Sequence, residues 1–394
     1  MVCLQNIGQN GILIEVAYSK WATSICVYAG MHTLGKGQLF VCRKGERMVT
    51  LKEIARRCNV SITSVSNVLN GKPKVSEETR RLVLKVVEET GYQPNYIAQG
   101  LRKQTTNMIG IIADDISEFS TPRMIESVMA YCESKGYRTV VQNLRLFSRW
   151  GDNWYDKEKE LQDALELALN EFQSIKVDGI VYVASYGRAI KNFPKNIHTP
   201  LVMAYAYMES DNVDYYLVDD EKGGYEMTKY LLDKGHKNIG VIGGRVDNMH
   251  TQKRLEGYKR ALKEAGIDFS DEKVCLGAWE RETGKKSMEK LLQKDVTAVF
   301  CMADQIAGGA YDCLAEKGLV VGKDISVVGY DNQLISAYMR PALTTMMLPL
   351  KEVGNLAIKE LISIIQGEKR ASGDQLYVPC KLVERDSVCK PDEK

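Results

Sequence analysis

The chain has 394 residues, 44% apolar and 26% charged, a globular composition that excludes a mostly disordered, collagen-like or coiled-coil protein. Its net charge is only +2 but is unevenly spread. Residues 48–107 hold ten Lys/Arg against five Asp/Glu, residues 1–47 five against two, and residues 108–394 38 against 44. A short basic module ahead of a large acidic body predicts separate domains and a head that binds a polyanion. The most apolar stretch, 11–30, is broken by Glu15 and Lys20 and lacks a basic start and a small-residue cleavage site, so neither a membrane helix nor a signal peptide is expected. Ten scattered cysteines form no CxxC pair, and four histidines make no Cys/His cluster of zinc spacing. Reduced thiols in a cytoplasmic protein, without metal or cofactor, are the expectation.

Residues 1–47 carry three of the cysteines and no sustained period. Lys44-Gly45-Glu46, just ahead of Met48, could be encoded by a purine-rich ribosome-binding sequence. The expectation is that the native chain starts at Met48 and that 1–47 is a non-native or disordered extension.

Strong patterning begins at residue 48, and 48–93 reads as a three-helix head. Thr50-Leu51-Lys52-Glu53 fits a capping box, with Ile54, Ala55 and Cys58 at helical spacing and Asn59 as the stop. Ser61 can cap a second helix whose apolar side is Val60, Val65, Val68 and Leu69, leaving Ile62, Thr63, Ser66 and Asn67 outside. Two short helices around a three-residue turn make a helix-turn-helix, and small polar side chains there suit base edges in a major groove. Ser76 caps a third helix over 77–90, with Leu82, Val86 and Val87 on its buried side and Gly91 as its stop. A plain three-helix bundle is the alternative.

The next stretch makes the pattern specific. Gln93-Pro94-Asn95-Tyr96-Ile97-Ala98-Gln99-Gly100-Leu101-Arg102-Lys103, with the motifs from Val49 to Ala55 and from Val60 to Asn70, resembles the head and hinge of the LacI/GalR family of bacterial transcriptional regulators. The resemblance runs over about 48–390. It implies that Ile62, Thr63 and Asn67 read bases, and that 95–102 is a hinge helix that forms on DNA with Leu101 wedged into the minor groove. The DNA-facing set is Thr50, Ile62, Thr63, Ser66, Asn67 and Asn70 in the head and Asn95, Ala98, Leu101 and Arg102 in the hinge and linker, 94–107. Asn67 stands where many members have Arg or His, which leaves the base preference open. The residues agree on the hinge: Gly100 costs about 1 kcal/mol inside a helix, and one this short is marginal alone.

Beyond residue 107, apolar runs at 108–113, 138–142, 179–183, 201–204, 238–242, 298–301 and 325–329 alternate with helical stretches such as 122–135. That alternation predicts parallel sheets flanked by helices, too many units for one sheet. The expected fold is therefore α/β: a helix-turn-helix head, a hinge helix, and over 108–394 a two-lobed core that the resemblance identifies as periplasmic-binding-protein-like. Ligands in such sheets lie beyond the carboxyl ends of strands, here between the lobes. Asp114, Ser117, Phe119 and Thr121 follow the first strand, and Asp304 follows the strand ending at Cys301. Arg254, Trp279 and Asp331 match the family's effector-binding positions, with Tyr205 and His250 as further candidates. Carboxylates, an Arg fork and an aromatic face suit a polyhydroxy ring. Each has a plainer alternative: Arg254 as an internal ion pair, an aspartate as a helix cap. The loop holding Trp150 and Trp154 lengthens the usual connection and reads as a packing plug more readily than a ligand contact; an amphipathic helix over 156–172 follows it.

The expected protein is a dimeric transcriptional regulator, most simply a repressor, that binds a pseudo-palindromic site on double-stranded DNA under control of a small-molecule effector, with a sugar the expected class. It would be cytoplasmic, at the bacterial nucleoid. The alternative is a solute-binding protein without a DNA role. An enzyme is not expected: no triad or metal set is visible, and Gly240-Val241-Ile242-Gly243-Gly244 lacks the spacing and lysine of a phosphate loop.

Overall fold

The computed structural model describes residues 2–6, 12–16, 32–34, 38–40, 49–69, 71–92, 105–151, 157–191, 193–194, 197–208, 213–369 and 371–391. Asn70, Asn95, Ala98, Leu101, Arg102 and Trp154, and with them the hinge helix, lie outside the described residues. The chain divides into two units, Met1–Asn95 and Tyr96–Lys394. Ahead of the head, Val2–Asn6 pairs with Ile12–Val16 and His32–Leu34 with Gln38–Phe40, two antiparallel ladders in a segment where the sequence gives no sustained period.

The head is three helices, Leu51–Cys58, Ile62–Leu69 and Glu77–Thr90. Thr50 accepts the Glu53 amide, Ser61 the Ser64 amide at 3.0 Å, and Ser76 the Thr79 amide. Asn59 (φ 51°) and Gly91 (φ 60°) end the first and third helices in the left-handed conformation. Two details differ from expectation. Glu53 does not reach back to complete the capping box, because its carboxylate pairs with Arg56 at 2.7 Å and Arg57 at 2.9 Å. Val83, not Leu82, joins Val86 inside, and Leu82 is exposed, so the third helix is turned from its expected face. Ile54, Ala55, Cys58, Val65 and Val68 complete a small core. Each fully buried aliphatic there contributes about 1.5–3 kcal/mol.

In the second unit two six-stranded sheets form two lobes. The first lobe's sheet is all parallel, in the order Gln375–Pro379, Asp214–Asp219, Leu201–Ala204, Gly179–Val183, Met108–Ala113, Arg138–Asn143. The second lobe's sheet runs Val274–Leu276, Ile239–Gly243, Ala298–Cys301, Ser326–Asp331, Thr344–Met347, Lys381–Val383, and only the last strand is antiparallel. Helices cover both faces. In the first lobe Phe172 of helix Glu158–Ile175 packs over Gly110, while Leu361 and Ile365 of helix Leu350–Ile365 pack over Gly179 on the other side. The chain passes between lobes three times: at Asp219–Asp220, before Leu350, and at Pro379–Lys381. In the second lobe, Gly224 and Gly257 let helices Asp220–Asp233 and Met249–Glu264 meet backbone to backbone, which a Cβ at either position would prevent.

Candidate functional site

The carboxyl ends of strands from both sheets face one another across a cavity of about 180 Å³. Its walls are Glu118, Phe119, Ser185, Tyr186 and Tyr205 from the first lobe and His250, Arg254, Trp279, Ala303, Gln305, Asp331 and Gln333 from the second. Arg254 is the central cation. It sits in the second turn of helix Met249–Glu264, 3% exposed, donating from Nε to Asp220 Oδ1 at 2.7 Å and from Nη1 to the Met302 carbonyl at 2.5 Å. Asp331 Oδ1 lies 3.8 Å from Nη1, and the guanidinium stacks 3.7 Å from the Tyr330 ring centre and 5.8 Å from that of Trp279. Burial works against the charge on Arg254, but Asp220, Tyr330 and Asp331 raise its pKa above the ordinary value.

Asp220 was not singled out in the sequence, yet it organises this wall. Its second oxygen, Oδ2, is 2.6 Å from His250 Nδ1. Burial pushes its carboxyl up, and the charge of Arg254 and the bonds from His250 and Arg254 overcome that and hold it below the usual range. Asp331 goes the other way: burial outweighs Arg254, and the nearby Asp304 adds to the rise, so its pKa lies well above the usual value. Tyr205 (φ 66°) and Asp331 (φ 106°) both hold backbone conformations that cost about 1–3 kcal/mol in a side-chain-bearing residue and concentrate at ligand sites. Trp279 Nε1 is buried with no hydrogen-bond partner among the described residues.

Six of the ten candidates thus line the cavity: Phe119, Tyr205, His250, Arg254, Trp279 and Asp331. Four do not. Asp114 is 1% exposed, its carboxylate taken by the Tyr182 hydroxyl, the Ser185 amide at 3.1 Å and Arg188 at 2.8 Å; it anchors the loop after strand Gly179–Val183. Ser117 is exposed and gives its hydroxyl to Asp115 at 2.7 Å. Thr121 is buried with its hydroxyl 3.1 Å from that of Ser185. Asp304 is fully buried behind the wall, accepting the Gln333 amide at 2.7 Å and the Thr345 hydroxyl at 2.5 Å. Burial raises its pKa to about 7 against these stabilising bonds. Ser185 and Tyr186 were missed although they directly follow a recognised strand. Glu118, Ala303, Gln305 and Gln333 are next to, or two residues from, a named candidate.

In the head, Thr50, Ile62 and Thr63 are exposed and Ser66 and Asn67 half-buried, all clear of the core formed by Val65 and Val68. Trp150 packs partly buried against the first lobe's core. Among the described residues no group of three or more His, Cys, Asp and Glu could hold a metal, and no helix is long and apolar enough to cross a membrane.

Residues 50–95 match the sequence pattern of bacterial regulatory proteins of the lacI family, and 228–388 that of periplasmic binding protein-like domains. The HTH-type transcriptional repressor PurR of Klebsiella pneumoniae (strain 342) is 35% identical over 346 residues, 86% of this chain and 97% of the relative. The chain belongs to the lacI family. Another relative, the ribose operon repressor of Haemophilus influenzae, is 33% identical, covering 81% of this chain and 92% of its own length. Among solved structures, the Lac repressor dimer bound to operator and the anti-inducer ONPF shares the fold with a TM-score of 0.70 at 23% identity, over 87% of this chain and 100% of that one. The transcriptional regulator CelR in complex with cellobiose matches with a TM-score of 0.59 at 25% identity, over 86% and 99%. The lacI-family assignment joins the head and the two-lobed core in one architecture.

Proposed function

We propose that this lacI-family protein is a sequence-specific DNA-binding transcriptional repressor whose operator affinity is set by a small molecule, a sugar, held between the two lobes. The observation that carries the reading is the presence on one chain of a helix-turn-helix with polar outward positions and a cleft that offers Arg254, Asp331 and Trp279 together. A guanidinium fork, a carboxyl group and an indole face are what a polyhydroxy ring needs. PurR and the ribose operon repressor, whose names make them repressors, support the regulatory role. In this reading Thr50, Ile62, Thr63, Ser66, Asn67 and Asn70 face DNA, and Asn95, Ala98, Leu101 and Arg102 form the hinge contact. The protein acts as a homodimer in the cytoplasm, performs no catalysis, and uses its two heads on a pseudo-palindromic site.

The test is selection of random-sequence duplexes by protein beginning at Met48, at one fixed salt concentration, since DNA affinity depends steeply on salt. Enrichment of a two-fold symmetric site is expected. No DNA binding, with and without a panel of sugars, would overturn the reading in favour of a solute-binding protein, and sequence-blind binding throughout would show that the head is not a specific reader. Repeating the selection with each sugar gives the sign of the response, because DNA and effector must alter each other's affinity equally.

A further inference from the structure

A hydrogen bond crosses the cleft from lobe to lobe. The amide N–H of Gly187, in the loop after strand Gly179–Val183 of the first lobe, donates to His250 Nε2 in the second at 2.8 Å. Nε2 must therefore present a lone pair, so the ring proton sits on Nδ1 and is donated to Asp220 Oδ2 at 2.6 Å. The other Asp220 oxygen takes Nε–H of Arg254 at 2.7 Å. Gly187 meets the second lobe with bare backbone: a Cβ there would come within 2.5 Å of Met249 Cε and 2.8 Å of His250 Cε1. The side chains of Asp220, His250 and Arg254 are 2%, 4% and 3% exposed, so water cannot replace a partner that one of them loses.

We infer that Asp220 is a positioning residue that couples the effector seat to the contact between the lobes, one oxygen fixing Arg254 in the cleft wall and the other fixing the imidazole tautomer that accepts the Gly187 amide. The inference rests on the reading of this cleft as the effector site. A ligand group that draws the Arg254 guanidinium away from Asp220 lets the carboxylate turn. The turn then alters the Nδ1–H bond and, through the ring, the bond to the other lobe. Effector occupancy and lobe geometry share one carboxylate.

Two measurements on the full chain without effector test this. With ¹⁵N-histidine labelling only four residues give signals, and His250 is assigned by its loss in His250→Gln. The expected wild-type spectrum has His250 protonated on Nδ1 and bare on Nε2. A proton on Nε2 overturns the inference without any Asp220 variant. In the second measurement, hydrogen exchange at the Gly187 amide is expected to accelerate about tenfold or more in Asp220→Asn, as in His250→Ala, with the amides of strand Ile239–Gly243 unchanged. Gly187 protection at the wild-type level in Asp220→Asn overturns it. Should that variant fail to fold, the wild-type histidine spectrum decides alone. Neither readout uses a sugar, so failure of the effector reading and failure of this coupling are separable.

Discussion

Trp279 lies over the backbone of Gly244, so that a Cβ on residue 244 would overlap its indole atoms Cε2, Cζ2 and Cδ2. The strand Ile239–Gly243 ends here, and the Gly277 amide donates to the Gly243 carbonyl at 3.1 Å, which brings the Trp279 loop across the strand end. Gly244→Ala is expected to push the indole from the cleft wall. Effector affinity should fall about three- to tenfold, the range of 0.5–1.5 kcal/mol for an aromatic contact. Calorimetric titration with the effector found in the sugar panel checks this. Unchanged affinity would remove Trp279 from the ligand's contacts.

Arg254 is buried against the Asp220 carboxylate at 2.7 Å. Arg254→Met leaves Asp220 without this cation, and breaking a buried pair by removing one partner costs about 3–5 kcal/mol. Urea unfolding should register that loss, and adding Asp220→Asn should restore part of it by removing the stranded charge. A double variant no more stable than the single one would show that the pairing with Asp220 carries little of the cost.

Burial of Asp304 sets the sign of a proton dependence. Its folded pKa is raised to about 7 from an ordinary 3.8, so between those values the folded chain holds a proton the unfolded chain has released. The contribution of this group to stability is therefore complete below the unfolded value and declines as pH rises toward 7. In Asp304→Asn the carbonyl oxygen can keep the Gln333 amide and the amide can donate to the Thr345 hydroxyl. The variant's stability relative to wild type should climb from pH 4 to pH 7. Urea midpoints for both proteins across that range give the difference, and a flat difference would remove Asp304 as the titrating group.

Asn67 sits half-buried on the helix Ile62–Leu69, opposite the face that packs Val65 and Val68. Asn67→Ala is expected to cost about 1–3 kcal/mol on the selected operator and to flatten the base preference at one position of each half-site. The slope of log affinity against log salt should stay the same, since no phosphate contact is lost. Fluorescence anisotropy on operator variants at several salt concentrations separates the two effects.

Among the twelve described strands of the two lobes, the sequence revealed the seven with long apolar runs and left five unnamed, and the reason is visible in each. Asp214–Asp219 begins and ends with aspartate, Val274–Leu276 and Lys381–Val383 are three residues long, Thr344–Met347 starts with two buried threonines, and Gln375–Pro379 is a largely exposed edge. The site was legible where chemistry follows a strand end, as at Phe119, and through the family resemblance at Arg254, Trp279 and Asp331. The same rule drew in Asp114 and Asp304, whose carboxylates the fold uses internally, because position after a strand does not say whether a side chain turns to the cleft or to its own loop. Asp220 was out of reach: its partners lie 30 and 34 residues further on, brought near by the close packing of two helices through Gly224 and Gly257.

The three passages between the lobes leave neither lobe a continuous piece of chain. Strand Gln375–Pro379 closes one sheet and Lys381–Val383, one residue later, closes the other. A truncation before residue 375 would strip an edge from both lobes at once, so neither can be excised as an autonomous half. Pro379 pairs with Asp219 and Lys381 with Met347, so the passages lie side by side and the two sheets are tied together at one edge of the cleft.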